Sequence, residues 1–222
     1  MFHMAVLVAQ RLPKTNPASA DTRQRLIDVA AALFADQGFE HVTVREICRD
    51  ANANVAAVNY HFGDKAGLYR AVIAQAIAVM QETNELTQRA GEGLSHEDRL
   101  REFVRIFMSR LTNDGPTSWV HRLMAREMEH PTEALDQVMT QVIGPRMAYL
   151  GAIAGAIMGL PPTEIRVMRC IGNLQMLCLV MARKPPASVE KQFAGGFDLE
   201  ATIHHIAEFS LGGMRAIAAG VP

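Results

Sequence analysis

The chain has 222 residues, 49% of them hydrophobic and 20% charged, which excludes wholesale disorder and allows one large domain or two small ones around a sizeable core. Twenty-two basic against 23 acidic side chains leave a formal net charge of −1, so bulk electrostatics favour neither nucleic acid nor an anionic membrane. Three cysteines, Cys48, Cys170 and Cys178, cannot all pair and show no C-x-x-C spacing; they read as buried thiols in a reducing, cytoplasmic setting with no cofactor or metal.

Residues 1–20 read as a disordered tail, because Pro13, Pro17 and Ser19 break any periodicity and no charged n-region makes Phe2 to Ala9 a signal segment. Beyond it nearly every segment has the helical period, which predicts an all-α fold of about nine helices. The first runs from about Asp21 to Gln37 with Leu26, Ala30, Leu33 and Phe34 as its stripe, and Gly38 ends it. The second starts after Thr43, with Glu46 completing a capping box, and buries Val44, Ile47, Cys48 and Ala51. Asn52-Ala53-Asn54 forms a turn, and the third helix spans Val55 to about Phe62 before Gly63 stops it.

Two short helices joined by so tight a turn make a helix-turn-helix. Val55, Val58 and Phe62 are expected to face inward, leaving Ala56, Ala57, Asn59, Tyr60 and His61 outside. That outer face carries small, amide and aromatic groups and no acid, which suits a DNA groove. Alanine admits the backbone and touches a thymine methyl, and Asn59 can read an adenine edge. Tyr60 and His61 can bond phosphate oxygens, or be ordinary exposed aromatics. The helix starts at Thr43 and Lys65 offer further phosphate sites, and Arg45 and Asn54 complete the candidate set.

Thr22 to Val72 resembles the amino-terminal domain of the TetR family of bacterial repressors. The likeness is carried by Ala31-Ala32-Leu33-Phe34, Gly38-Phe39, Thr43-Val44-Arg45-Glu46-Ile47, Val58 through Lys65, and Leu68-Tyr69. The resemblance implies an all-α homodimer whose third helix enters the major groove, with Thr43, Tyr60, His61 and Lys65 at phosphate-contacting positions. It divides the chain into a DNA-binding unit, 21–67, and an effector-binding and dimerisation unit, 68–222. The family usually has Gly-Val in the turn; here Asn52-Ala53 stands there, and Asn can adopt the same backbone at modest cost. Charge adds little: residues 1–70 hold eight Lys or Arg against seven Asp or Glu.

A long fourth helix runs from Asp64 to about Arg89, and the resemblance gives it the role of transmitting ligand binding to the DNA reader. Residues 96 to 130 form two helices, and Leu123 to Met128 followed by Pro131 is similar to a TetR subgroup labelled CerR-like. Arg126 and Glu127 are either effector contacts or an interhelical ion pair. Met147 to Leu160 is an apolar run too short to span a bilayer, so it reads as a buried helix. Gly151 and Gly155 on it mean close helix packing or room for a ligand. Thirteen methionines fit either an ordinary core or an adaptable apolar pocket. The candidate effector pocket is Met108, Trp119, Arg122, Met124, Arg126, Met128, Met147, Gly151, Gly155 and Met176. The last two helices, about Pro162 to Arg183 and Leu199 to Ala218, are implied to pair with a second copy through Arg166, Cys170, Asn173, His205, Gly212 and Gly213. Redox sensing by Cys170 and Cys178 is a minor alternative.

The partners expected are thus double-stranded operator DNA, a second copy and a small effector, with no membrane. An architectural DNA-binding dimer without effector is the alternative. An enzyme is a third reading, although no P-loop, G-x-S-x-G or H-E-x-x-H pattern is present.

Overall fold

Capping chemistry sets the first helices of the computed structural model, which describes residues 17–183 and 198–220. Helix α1 (Pro17–Gln37) stops where Gly38 takes φ +85°. It starts ahead of the expected Asp21, so residues 17–20 are helical, while 1–16 lie outside the described residues. Helix α2 (Val44–Asp50) opens on the expected capping box: the Thr43 hydroxyl accepts from the Glu46 amide, and the Glu46 carboxylate accepts from the Thr43 amide. Asn52 sits at φ 49°, the only described non-glycine residue at positive φ, and supplies the left-handed corner where the family usually has glycine. Helix α3 (Val55–Phe62) is capped by Asn54, whose Oδ1 accepts from the Ala57 amide at 2.8 Å. Asp64 caps α4 (Lys65–Ala90) through the Gly67 amide at 2.6 Å.

Helices α5 (His96–Thr112) and α6 (Trp119–Glu129) follow. Next come α7 (Ala134–Val138), a π-helical turn (Met139–Ile143) and α8 (Gly144–Met158), three consecutive pieces of one helical run. Helices α9 (Ile165–Met181) and α10 (Leu199–Ala218) complete the described residues, which contain ten α-helices, the π turn and no strand.

Burial falls into two cores. The first joins α1–α4 to Trp119, Val120 and Leu123 of α6, Ala134 and Val138 of α7, and Val142 of the π turn. The second is built by α5, α8, α9 and α10. Leu68, Tyr69, Val72 and Ile73 share the first core with α1–α3, so α4 is continuous with the helix-turn-helix. Among the described residues no helix is long and apolar enough to cross a membrane.

Candidate nucleic-acid interface and effector region

Val58 is the anchor of α3, fully buried against α1, α2 and α4. Phe62 and Ala57 pack partly against the same core. This corrects the inward face expected from sequence in two places. Val55 is 44% exposed, and Ala57, expected outside, is half-buried. The helix is rotated so that Val55, Ala56, Asn59 and Tyr60 form the outer face, with Tyr60 81% exposed. His61 is half-buried and lies edge-on to the Tyr60 ring at 4.9 Å. Val55 is the exposed residue of this face that apolar spacing assigned to the core; its position in the first turn of α3 is the signal, since that turn has little core to cover.

Around α3 lie the groups suited to phosphate. Thr43 is exposed, and its hydroxyl donates to the Glu46 carboxylate at 2.7 Å, which holds that carboxyl below its ordinary range. The Val44 and Arg45 amides of the first α2 turn have no acceptor among the described residues, and the exposed Arg45 side chain has no ion-pair partner there. Lys65 lies over the Phe39 ring with Nζ 4.4 Å from its centroid, and donates to the Glu40 carbonyl at 3.4 Å. The structure thus gathers Thr43, Arg45, Asn54, Ala56, Asn59, Tyr60, His61 and Lys65 on α2, α3 and the start of α4, around one exposed helix face.

The ten expected effector residues are not gathered. Met108, Met147, Gly151 and Gly155 lie in or against the second core. A Cβ on Gly155 would meet the Leu160 carbonyl at 2.8 Å and one on Gly151 the Pro162 carbonyl at 3.1 Å, so these glycines serve close packing against the α8–α9 connection. Trp119 and Met124 belong to the first core, and Met128 and Met176 are exposed.

Arg122 and Arg126 turn to α1. Arg126 Nε donates to the Ala35 carbonyl at 2.9 Å and Nη2 to the Asp36 carbonyl, capping the α1 C-terminus. Arg122 Nε pairs with Asp36 at 2.9 Å. Glu127, only 2% exposed, accepts from the Tyr69 hydroxyl and, at 3.3 Å, from the Thr132 amide. Burial, then that bond, holds the Tyr69 phenol protonated far above its usual range. Arg126 and Glu127 therefore do not pair with each other. They fasten α6 to α1 and to the N-terminal part of α4, next to the helix-turn-helix.

On α9 and α10, Arg166, Asn173, His205, Gly212 and Gly213 are exposed. A Cβ on Gly172, Gly212 or Gly213 would meet nothing within 4 Å. Beside them stand exposed Ile165, Met176, Val180 and Phe209. Cys170 departs from the expected seam: it is buried in its own chain's second core, as is Cys178. Burial pushes both thiols up, Cys178 to about 12, which leaves no nucleophilic thiolate for redox sensing.

Comparison with known proteins covers both halves. Residues 26–72 match the family model described as bacterial regulatory proteins, tetR family. Residues 96–214 match the C-terminal domain of the HTH-type transcriptional dual regulator CecR, so the subgroup read from the sequence as CerR-like matches under that name. The chain is 29% identical to the CecR dual regulator of Shigella flexneri over 167 residues, 69% of this chain and 74% of that one. A TetR-like transcriptional regulator from a Rhodococcus species shares the fold with a TM-score of 0.66 at 18% identity, covering 92% of this chain and 98% of that one. The fatty acid degradation regulator FadR from Bacillus halodurans does so with a TM-score of 0.64 at 17% identity, over 91% and 99%.

Proposed function

The chain belongs to the TetR family of bacterial transcriptional regulators, with a CecR-type C-terminal domain, and from that premise we propose that it is a repressor released from a palindromic operator by a small, largely apolar effector. It is a DNA-binding regulator and not an enzyme, as its relatives are. Residues 21–67 read the DNA, and residues 68–222 bind effector and a second copy. The protein works in the cytoplasm, where its operator is.

The observation that carries the reading is the acid-free outer face of α3. Val55 and Ala56 offer apolar contact to thymine methyls, Asn59 a bidentate amide for adenine, and Tyr60 a phosphate-reaching hydroxyl. Thr43, Arg45 and Lys65 add few phosphate contacts, so affinity rests on two copies acting together. The α9–α10 face supports that pairing, because its exposed apolar side chains and open glycines leave room for another backbone. Coupling runs through α6, which holds both the α1 C-terminus and Tyr69 of α4.

The Shigella flexneri relative is named a dual regulator, so the sign of regulation needs its own readout. A reporter fused to the promoter upstream of this chain's reading frame, with and without the chain, supplies it. Repression raises reporter output when the chain is removed; a fall in output would contradict it.

A further inference from the structure

The strongest unexplained group outside the DNA face is Arg146, at the start of α8 and only 7% exposed. It makes no ion pair with any described residue. Its Nε donates to Asn84 Oδ1 at 3.1 Å, and its guanidinium lies 5.0 Å from the centre of the Phe107 ring. No acceptor among the described residues takes its two Nη groups, which keep some contact with solvent. Burial lowers its pKa to about 10, so it remains charged at neutral pH. A largely buried cation without a counter-ion costs desolvation energy that a bound anion would offset.

Thr83, Asn84 and Thr87 are buried polar residues on one stripe of α4. Asn84 Nδ2 donates to the Val142 carbonyl at 3.1 Å, inside the π-helical turn that precedes Arg146, and such turns recur at functional sites. Arg110 is paired with Glu82 at 3.3 Å. His121, bonded through Nε2 to the Arg110 carbonyl at 3.0 Å, is kept neutral, chiefly by burial and further by the Arg146 charge. A fork-shaped cation with the apolar Phe107 ring beside it suits a negative charge on an apolar body.

We propose that Arg146 anchors the effector, and that the effector is a carboxylate-bearing molecule whose apolar body lies between α4, α5 and α8. This rests on the ligand-responsive reading above. An anion entering there presses on α4, whose N-terminal part carries Tyr69 against α6.

The test is thermal unfolding of the full chain with straight-chain carboxylates from acetate to dodecanoate, and benzoate, each against its uncharged primary amide at fixed ionic strength. At least one carboxylate should raise Tm by roughly 5 °C near saturation, and its amide should not. Arg146→Met should fold with an unliganded Tm no lower than the parent's and lose the carboxylate shift. Arg146→Lys, which keeps the charge without the fork, should retain a shift at about tenfold higher concentration. The proposal is overturned if no carboxylate gives an Arg146-dependent shift, if amides act equally, or if the shift survives in Arg146→Met; should that variant not fold, an unchanged response in Arg146→Lys overturns it as well. Anisotropy of promoter DNA with the same compounds separates the two readings. An Arg146-dependent Tm shift with unaltered DNA binding keeps the anion site and removes the effector role. Release of DNA by an amide alone keeps the effector role and removes the anion anchor.

Discussion

At the scale of single residues, Asn59 and Tyr60 share the exposed face of α3 and are expected to do different work. Asn59→Ala should relax preference at one base pair per half-site by about 1–3 kcal/mol, whereas Tyr60→Phe should weaken all sequences alike. Binding titrations on a set of single-substituted operators distinguish the two patterns. Asn52 carries backbone strain at φ 49°, so Asn52→Ala should lower stability by about 1–2 kcal/mol, measured by urea unfolding. His121 gives the chain a pH response. Its folded pKa lies below the unfolded value of 6.5, so the unfolded state takes the proton first as pH falls. Its contribution is intact above about pH 6.5 and is lost below it as pH approaches the folded pKa; His121→Gln should flatten the stability curve there.

At the scale of elements, α6 is the part of the first core that fastens α1 to α4. Truncating Glu127 to Ala leaves the buried Tyr69 hydroxyl without its acceptor, which should cost about 1–3 kcal/mol of folding stability. Arg126→Ala frees the last α1 carbonyls and should shrink the effector's influence on DNA binding more than it shrinks ligand affinity; calorimetry beside DNA anisotropy reads both. Much of this architecture is visible in local chemistry. The Thr43–Glu46 box, the Asn54 cap and Gly38 mark α1–α3 because each is a short-range interaction written in adjacent residues. The α6 contacts are not visible that way: Arg126 meets carbonyls 90 positions away, and a charged side chain on an amphipathic helix looks the same whether it faces ligand, solvent or another helix end. The exposure of Val55 likewise depends on how α3 rotates about Val58, which apolar spacing alone does not fix. Short α7 and its π turn are not legible in the sequence because five residues are too few to repeat an apolar stripe.

At the scale of the whole molecule, pairing and DNA reading have to agree. Gly212→Leu has open space in the single chain, so the variant should fold and yet lose the proposed pairing through α9 and α10; sedimentation is expected to show a dimer for the parent and a monomer for the variant. Two copies related by a two-fold axis would place their α3 helices about one DNA turn apart, roughly 34–36 Å, so the favoured site is a palindrome with half-sites at that spacing. Selection from a random duplex library by the parent chain and by Asn59→Ala tests this directly. The parent should enrich a palindrome with that spacing, and Asn59→Ala should lose preference at one symmetric base pair while keeping the rest. Failure of the parent to enrich any sequence, or an identical preference in both chains, would contradict the assignment of α3 as the reader.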